Sequence, residues 1–204
     1  MHKVGVVGCG LMGAGIAEVA ARSGDDVVVV ESSEDAAKAG LARLEQSLRR
    51  AEAKQKIESA DEVLARIRVE TSLEELADRD LVVEAIVEDE QAKVELFRAL
   101  DEIVTSPDAI LASNTSSIPI MKLGTVTSRP QQVIGIHFFN PVPVLQLVEL
   151  VPSLTTSDET TARARAWAEE TLGKQAIRSQ DRAGFVVNAL LIPFVLSAIR
   201  MLES

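Results

Sequence analysis

Two ionisable residues of this chain stand where chemistry would need them. His137 ends the apolar run Val133-Ile134-Gly135-Ile136 and precedes Phe138-Phe139-Asn140-Pro141-Val142-Pro143. In open α/β sheets ligands bind beyond the carboxyl ends of the strands, so a histidine in that position faces a site. A lone histidine is more often structural, and the second clue is Glu149. In Leu145-Gln146-Leu147-Val148-Glu149-Leu150-Val151 it shares its face with Leu145, Leu147 and Val151, an apolar setting in which a carboxylate needs a partner. If that partner is the His137 ring, it fixes the tautomer and supports the imidazolium formed when the other nitrogen takes a proton, as in a general base with its orienter.

A second constellation lies at the amino terminus. Val4-Gly5-Val6-Val7 leads into Gly8-Cys9-Gly10-Leu11-Met12-Gly13, then a small-residue helical pattern from Ala14 to Ser23, then Asp26 to Val30 ending at Glu31. This reads as strand, glycine turn, helix, strand. Gly8 permits the tight turn, Gly10 lets backbone amides approach a pyrophosphate, and Gly13 lets the helix pack close to the strand. The phosphates would sit at the helix amino terminus, where free N–H groups and the macrodipole favour an anion. Glu31, 18 residues after Gly13, is placed to accept the ribose hydroxyls of NAD and to repel the 2′-phosphate of NADP. Cys9 within the turn reads as a small spacing residue rather than a reactive thiol.

The elements that must position these groups alternate. After Glu31 a long polar helix has Ser32 and Asp35 at capping-box spacing and a narrow stripe of Leu41, Leu44 and Leu48. A second helix starts near Ser59 and runs to about Arg66, and the pair reads as a projecting insertion. Strands follow at 67–69 and 80–85, with a capped turn at Ser72 to Leu76 between them. Val94, Phe97, Leu100 and Val104 mark a helix from Glu90, closed by Pro107. A strand at 109–112 runs into Ser113-Asn114-Thr115-Ser116-Ser117 and a short helical piece with Pro119 and Met121. Strands at 132–136 and 144–151, a helix from Asp158 to Leu172 stopped by Gly173, and a strand at 175–179 complete the pattern. The expectation is a Rossmann-like α/β fold, a doubly wound parallel sheet with an inserted helical pair. Phe185 to Leu202 departs from it as an almost wholly apolar helix containing Pro193 that needs partners on every side. We therefore expect a nucleotide-binding domain over residues 1–182 and, over 183–204, the start of an incomplete helical domain.

Composition narrows the function. With 204 residues and 47% hydrophobic content the chain can bury a full core. A net charge of −10 argues against a nucleic-acid partner. No apolar run reaches the ~18 residues of a membrane span and no signal-peptide layout is present. A single cysteine excludes an internal disulfide framework and fits a reducing cytoplasm, the expected location, and no metal site is expected. The one basic cluster, Arg49, Arg50, Lys54 and Lys56, reads as either a solvated helix face or a local anion contact.

Taken together, Gly8-x-Gly10-x-x-Gly13, Ser113-Asn114-Thr115-Ser116-Ser117, the His137 to Pro143 motif and Gly184-Phe185-Val186-Val187-Asn188 resemble the 3-hydroxyacyl-CoA dehydrogenase family, in particular its short-chain 3-hydroxybutyryl-CoA members. The resemblance covers essentially the whole chain. It implies that His137 removes the 3-hydroxyl proton while hydride passes from C3 to NAD, and that Glu149 orients it. It implies that Ser116 and Asn188 polarise the substrate, although by themselves they would pass for a helix cap and a first-turn polar residue. It places Gly8, Gly10, Leu11, Met12, Gly13, Glu31, Glu88, Lys93, Asn114 and Asn140 around the cofactor, although Lys93 alone would pass for a solvated residue. Ser47 and Lys54 fall on its CoA contacts, which would give the projecting helix a purpose. The family usually has proline where this chain has Ala183, and a complete helical domain that supports a homodimer. Two rival readings remain at this level: a truncated, non-catalytic NAD or acyl-CoA binding module, and a dehydrogenase of CoA-free hydroxy acids.

Overall fold

The computed structural model describes residues 2–203. Eight strands form one sheet: β1 (Lys3–Val7), β2 (Asp26–Val30), β3 (Ile67–Glu70), β4 (Leu81–Glu84), β5 (Ile110–Ser113), β6 (Val133–Phe138), β7 (Leu147–Pro152) and β8 (Gln175–Arg178), in the order β3-β2-β1-β4-β5-β6-β7-β8. Neighbours run parallel except β6 and β7, which are antiparallel. The expected doubly wound parallel sheet is thus present, with one antiparallel pair that the sequence reading did not specify. A parallel crossover needs about a dozen residues or more, and the segment 139–146 between β6 and β7 is too short for one.

Among the described residues there are seven α-helices: α1 (Leu11–Arg22), α2 (Glu34–Ala53), α3 (Ala60–Leu64), α4 (Glu90–Ile103), α5 (Ile120–Gly124), α6 (Asp158–Ala166) and α7 (Val187–Glu203). Because successive strand residues point to opposite faces, Val4, Val6, Val27 and Val29 meet Ile16, Ala17, Leu44 and Ala164 on one side. Val7, Val28 and Val82 meet Phe97, Leu100, Ile120 and Leu123 on the other. Both faces are thus buried, which is why these strands read as apolar runs rather than alternating ones.

Local chemistry sets the helix starts, with two departures from the sequence reading. The cap of α2 is Ser33, whose hydroxyl accepts the Ala36 N–H at 3.3 Å, not Ser32. Ser72 does not cap a backbone amide; its hydroxyl donates to the Glu74 carboxylate beside a 3-10 turn over Leu73–Leu76. Ser59 does cap α3, accepting the Glu62 N–H. The helix expected from Asp158 to Leu172 stays α-helical only to Ala166 and widens into a π turn over Trp167–Thr171 before Gly173. In α2, Ala37, Gly40, Leu44, Leu48 and Ala51 form the buried stripe, and a side chain at Gly40 would run into Cys9. The inserted pair is thereby clamped against the glycine turn.

No residue of α7 is buried, and Leu190 and Phe194 are among its exposed apolar side chains. Among the described residues no helix is long and apolar enough to cross a membrane.

Candidate active site

The antiparallel step in the sheet makes the centre of the site. In the β6–β7 register His137 lies directly opposite Glu149, and cross-strand partners of that kind are in side-chain contact. Nδ1 of His137 is 2.7 Å from Glu149 Oε2, and both side chains are buried. Glu149 Oε1 accepts three further hydrogen bonds, from Ser179 Oγ at 3.1 Å, Val186 N–H at 2.9 Å and Val187 N–H at 3.0 Å. An oxygen surrounded by donors belongs to an ionised carboxylate, so Nδ1 carries the imidazole proton and Nε2 keeps a lone pair. The rings of Phe139 and Phe185 stand 4.6 and 5.5 Å from that of His137 and keep the imidazole in apolar company.

His137 lines a cavity of about 530 Å³ together with Leu11, Met12, Glu88, Lys93, Asn114, Ser116, Asn140 and Asn188. Residues from the glycine turn, the end of β6, the serine-rich segment and α7 therefore converge on one space. Gly10 and the segment Ala85 to Val87 line this cavity and also a second of about 580 Å³ that contains Gly8, Glu31 and Ser32. The two cavities flank the glycine turn.

The turn itself fits a dinucleotide. Gly8 has φ of +92°, a conformation side-chain-bearing residues rarely adopt. A Cβ at Gly13 would strike the Gly8 carbonyl oxygen, so α1 can only approach the strand with glycine there. A Cβ at Gly10 would meet no protein atom within 4 Å. Packing thus explains Gly13, whereas Gly10 keeps open a space outside the protein, at the cap position of α1 with no side chain on its amides. Glu31 Oε1 accepts the Cys9 N–H at 2.5 Å and Oε2 the Ser32 N–H at 3.1 Å. The carboxylate therefore pins the turn while each oxygen retains acceptor capacity for a ribose hydroxyl. Burial, and then the neighbouring Glu31 charge, push the Cys9 thiol up to about 11 against the opposing pull of Arg43, which suits a spacing role.

Beneath the His137 cavity lies a charged cluster only partly legible beforehand. Lys93 is buried, paired with Glu84 and, at 3.2 Å, with Glu88. Glu84 also accepts Ser113 Oγ at 2.5 Å and the Ile86 N–H at 2.7 Å. Sequence reading placed Glu84 in a buried strand without giving it a role; a carboxylate ending Leu81-Val82-Val83 was the signal. Glu88 Oε1 accepts from Thr115 Oγ1 at 2.5 Å and from the N–H groups of Ser116 and Ser117 at 2.9 and 3.2 Å. Although burial pushes the other way, these donors and the Lys93 ammonium hold the Glu88 carboxyl down at about 2. The hydroxyl of Ser116 also reaches Glu88, at 3.3 Å. Asn114 Oδ1 accepts the Phe138 N–H at 2.9 Å, which ties the serine-rich segment to the strand end bearing His137.

Ser47 and Lys54 are not brought to either cavity. Ser47 is half-buried on α2, and Lys54 is exposed at its carboxyl-terminal cap. Of the basic cluster, Arg49 is already paired with Asp61 and Glu52.

The 3-hydroxyacyl-CoA dehydrogenase NAD-binding domain family matches residues 3–182. A 3-hydroxybutyryl-CoA dehydrogenase of Mycobacterium tuberculosis is 54% identical over 206 residues, spanning 100% of this chain and 72% of that protein. The mitochondrial hydroxyacyl-coenzyme A dehydrogenase of Sus scrofa is 41% identical over 211 residues, spanning 100% and 67%. The crystal structure of (S)-3-hydroxybutyryl-CoA dehydrogenase PaaH1 from Ralstonia eutropha superposes with a TM-score of 0.94 at 44% identity, covering 100% of this chain and 72% of that one. The chain belongs to the 3-hydroxyacyl-CoA dehydrogenase family, an oxidoreductase family whose NAD-binding domain it carries.

Proposed function

We propose that this chain interconverts (S)-3-hydroxyacyl-CoA and 3-oxoacyl-CoA, with short acyl chains such as 3-hydroxybutyryl preferred. The observation that carries the reading is the His137–Glu149 pair opening onto the same cavity as the glycine turn, Ser116 and Asn188. When bound, the nicotinamide accepts the hydride leaving C3 or returns it. His137 Nε2 takes the 3-hydroxyl proton in the oxidative direction and gives it back in the reverse. Glu149 holds the ring in the required tautomer and stabilises the imidazolium that forms. Ser116 and Asn188 offer a hydroxyl and an amide to the substrate oxygens, and Asn140 and Lys93 lie on the cofactor side. Glu31 favours NAD over NADP, because a 2′-phosphate would be driven against a carboxylate already fixed by two amides. Lys54 and Ser47 on α2 serve the CoA moiety.

The test is NADH oxidation at neutral pH with acetoacetyl-CoA, set against free acetoacetate and against NADPH. Turnover that requires both CoA and NADH supports reaction, substrate class and cofactor together. Saturable NADH binding without turnover would instead favour a binding module, and turnover of free acetoacetate would favour a dehydrogenase of CoA-free hydroxy acids.

A further inference from the structure

Glu149 is joined to three elements besides its own strand. Its Oε2 faces His137 on β6, while Oε1 receives Ser179, just past β8, and the amides of Val186 and Val187 at the start of α7. Ser179 is buried, and its own N–H is held by the Leu150 carbonyl at 2.8 Å, so its hydroxyl is fixed relative to β7. The segment between Ser179 and α7 is also pinned at its middle. Asp181 accepts the Ile120 and Met121 N–H groups at the start of α5, both at 2.8 Å. Gly184 and Phe185 then adopt φ of +75° and +50°, which turns the next two amides back onto Glu149. A carboxylate of β7 thus anchors α7 while a carboxylate of the connecting segment anchors α5.

From this arrangement we propose that Ser179 is a positioning residue for the catalytic pair: with the amides of Val186 and Val187 at the start of α7 it forms a three-donor cradle that fixes the orientation of the Glu149 carboxylate toward His137. The proposal rests on the reading of His137 as the base. Without the Ser179 donor the Oε1 side is held by the two amides alone, and the plane of the carboxylate facing Nδ1 is less tightly fixed. Among the described residues His137 is the sole ion-pair partner of Glu149; Asp181 is engaged by α5, and Arg178, the strand neighbour, is exposed. A change at Ser179 therefore acts on the His137 titration through Glu149. The hydroxyl draws off part of the carboxylate's charge. Its removal makes Glu149 a stronger attractor of the imidazolium, so the His137 titration moves to higher pH, and the loosened orientation lowers turnover.

The experiment compares wild type with Ser179→Ala and Ser179→Thr by NMR titration of the imidazole nitrogens, with His137→Gln identifying the His137 signals, and by kcat and KM for acetoacetyl-CoA. The expected result for Ser179→Ala is a His137 titration displaced upward and a kcat roughly tenfold lower at little-changed KM, the scale of one hydrogen bond to a charged group. Ser179→Thr, which keeps the hydroxyl, is expected to restore both. A Ser179→Ala protein that is folded by circular dichroism and has an unmoved His137 titration would overturn the proposal. Failure of the underlying reading looks different: His137→Gln would retain wild-type turnover, while the titration still reports whether Ser179 reaches His137 through Glu149.

Discussion

Lys93 of α4 pairs with Glu84 at the end of β4 with both side chains withdrawn from solvent, their exposures being 1% and 0%. Breaking one partner of such a pair leaves an uncompensated buried charge, which costs roughly 3–5 kcal/mol, whereas replacing both by apolar groups of similar volume is often close to neutral. Lys93→Met alone is therefore expected to lower unfolding free energy by about that amount in urea denaturation. Combining it with Glu84→Leu should recover much of the loss, with Ser113 and the Ile86 amide setting the remainder because both also bond to Glu84. If the single and double variants are equally unstable, the pair is not the source of the cost.

The two glycines of the turn separate fold from ligand. Gly13→Ala forces a methyl into the Gly8 carbonyl, so it should lower the melting temperature whether or not cofactor is present. Gly10→Ala adds a methyl that meets no protein atom within 4 Å. Its apo stability should stay near wild type, while NADH affinity falls at least tenfold because the methyl occupies the approach of the pyrophosphate. Calorimetric melting and NADH fluorescence titration of both variants read this contrast. Equal melting losses would mean that Gly10 too is a packing residue.

How much of this was legible beforehand follows from what each signal depends on. The glycine turn, the alternation of strands and helices in the amino-terminal half and Glu31 rest on local spacing, and sequence carries local spacing directly. The role suggested for Glu149 came from a burial argument, a carboxylate in an apolar strand, and the antiparallel register supplies its partner. The same argument applied to Glu84 would have found Lys93, but one residue at a strand end beside the polar Glu88-Asp89-Glu90 does not stand out. Ser179 could not be read at all, because its meaning lies in a contact with a residue 30 positions away. The cap of α2 was misplaced by one position, since adjacent serines offer the same chemistry and only backbone geometry chooses between them.

Acid stability should report on Glu88. Its carboxyl titrates near 2 in the fold, below the ordinary value of about 4.3. A depressed folded-state pKa means that the stabilisation is present above the unfolded value and is lost as pH falls from about 4.5 toward 2. Melting temperatures of wild type should decline over that window more steeply than those of Glu88→Gln. The decline that persists in the variant belongs in part to Asp78, also lowered to about 2, by Lys3 and Arg79 at the amino-terminal ends of β1 and β4, the far end of the strands from Glu88. Parallel curves for the two proteins would remove Glu88 from the acid response.

The inserted helical pair offers a comparison between two cations on one helix. Arg49 is bound to Asp61 of α3 and to Glu52, so its charge is matched and its loss should act on the hairpin itself. Lys54 caps the carboxyl terminus of α2 in solvent, and a solvated ammonium there favours a phosphate by Coulomb attraction with no burial to overcome. If α2 serves CoA, Lys54→Ala raises KM for acetoacetyl-CoA several-fold, the scale of about 1 kcal/mol for an exposed charge contact, with kcat unchanged. The effect should shrink as salt rises from 50 to 500 mM, because exposed pairs are screened beyond a Debye length of about 10 Å at 0.1 M. Arg49→Ala should leave KM in place and lower the melting temperature by a degree or two instead. An equal rise in KM for both variants would show that the basic cluster as a whole, and not Lys54 in particular, meets the ligand. No rise in either would move CoA recognition off α2.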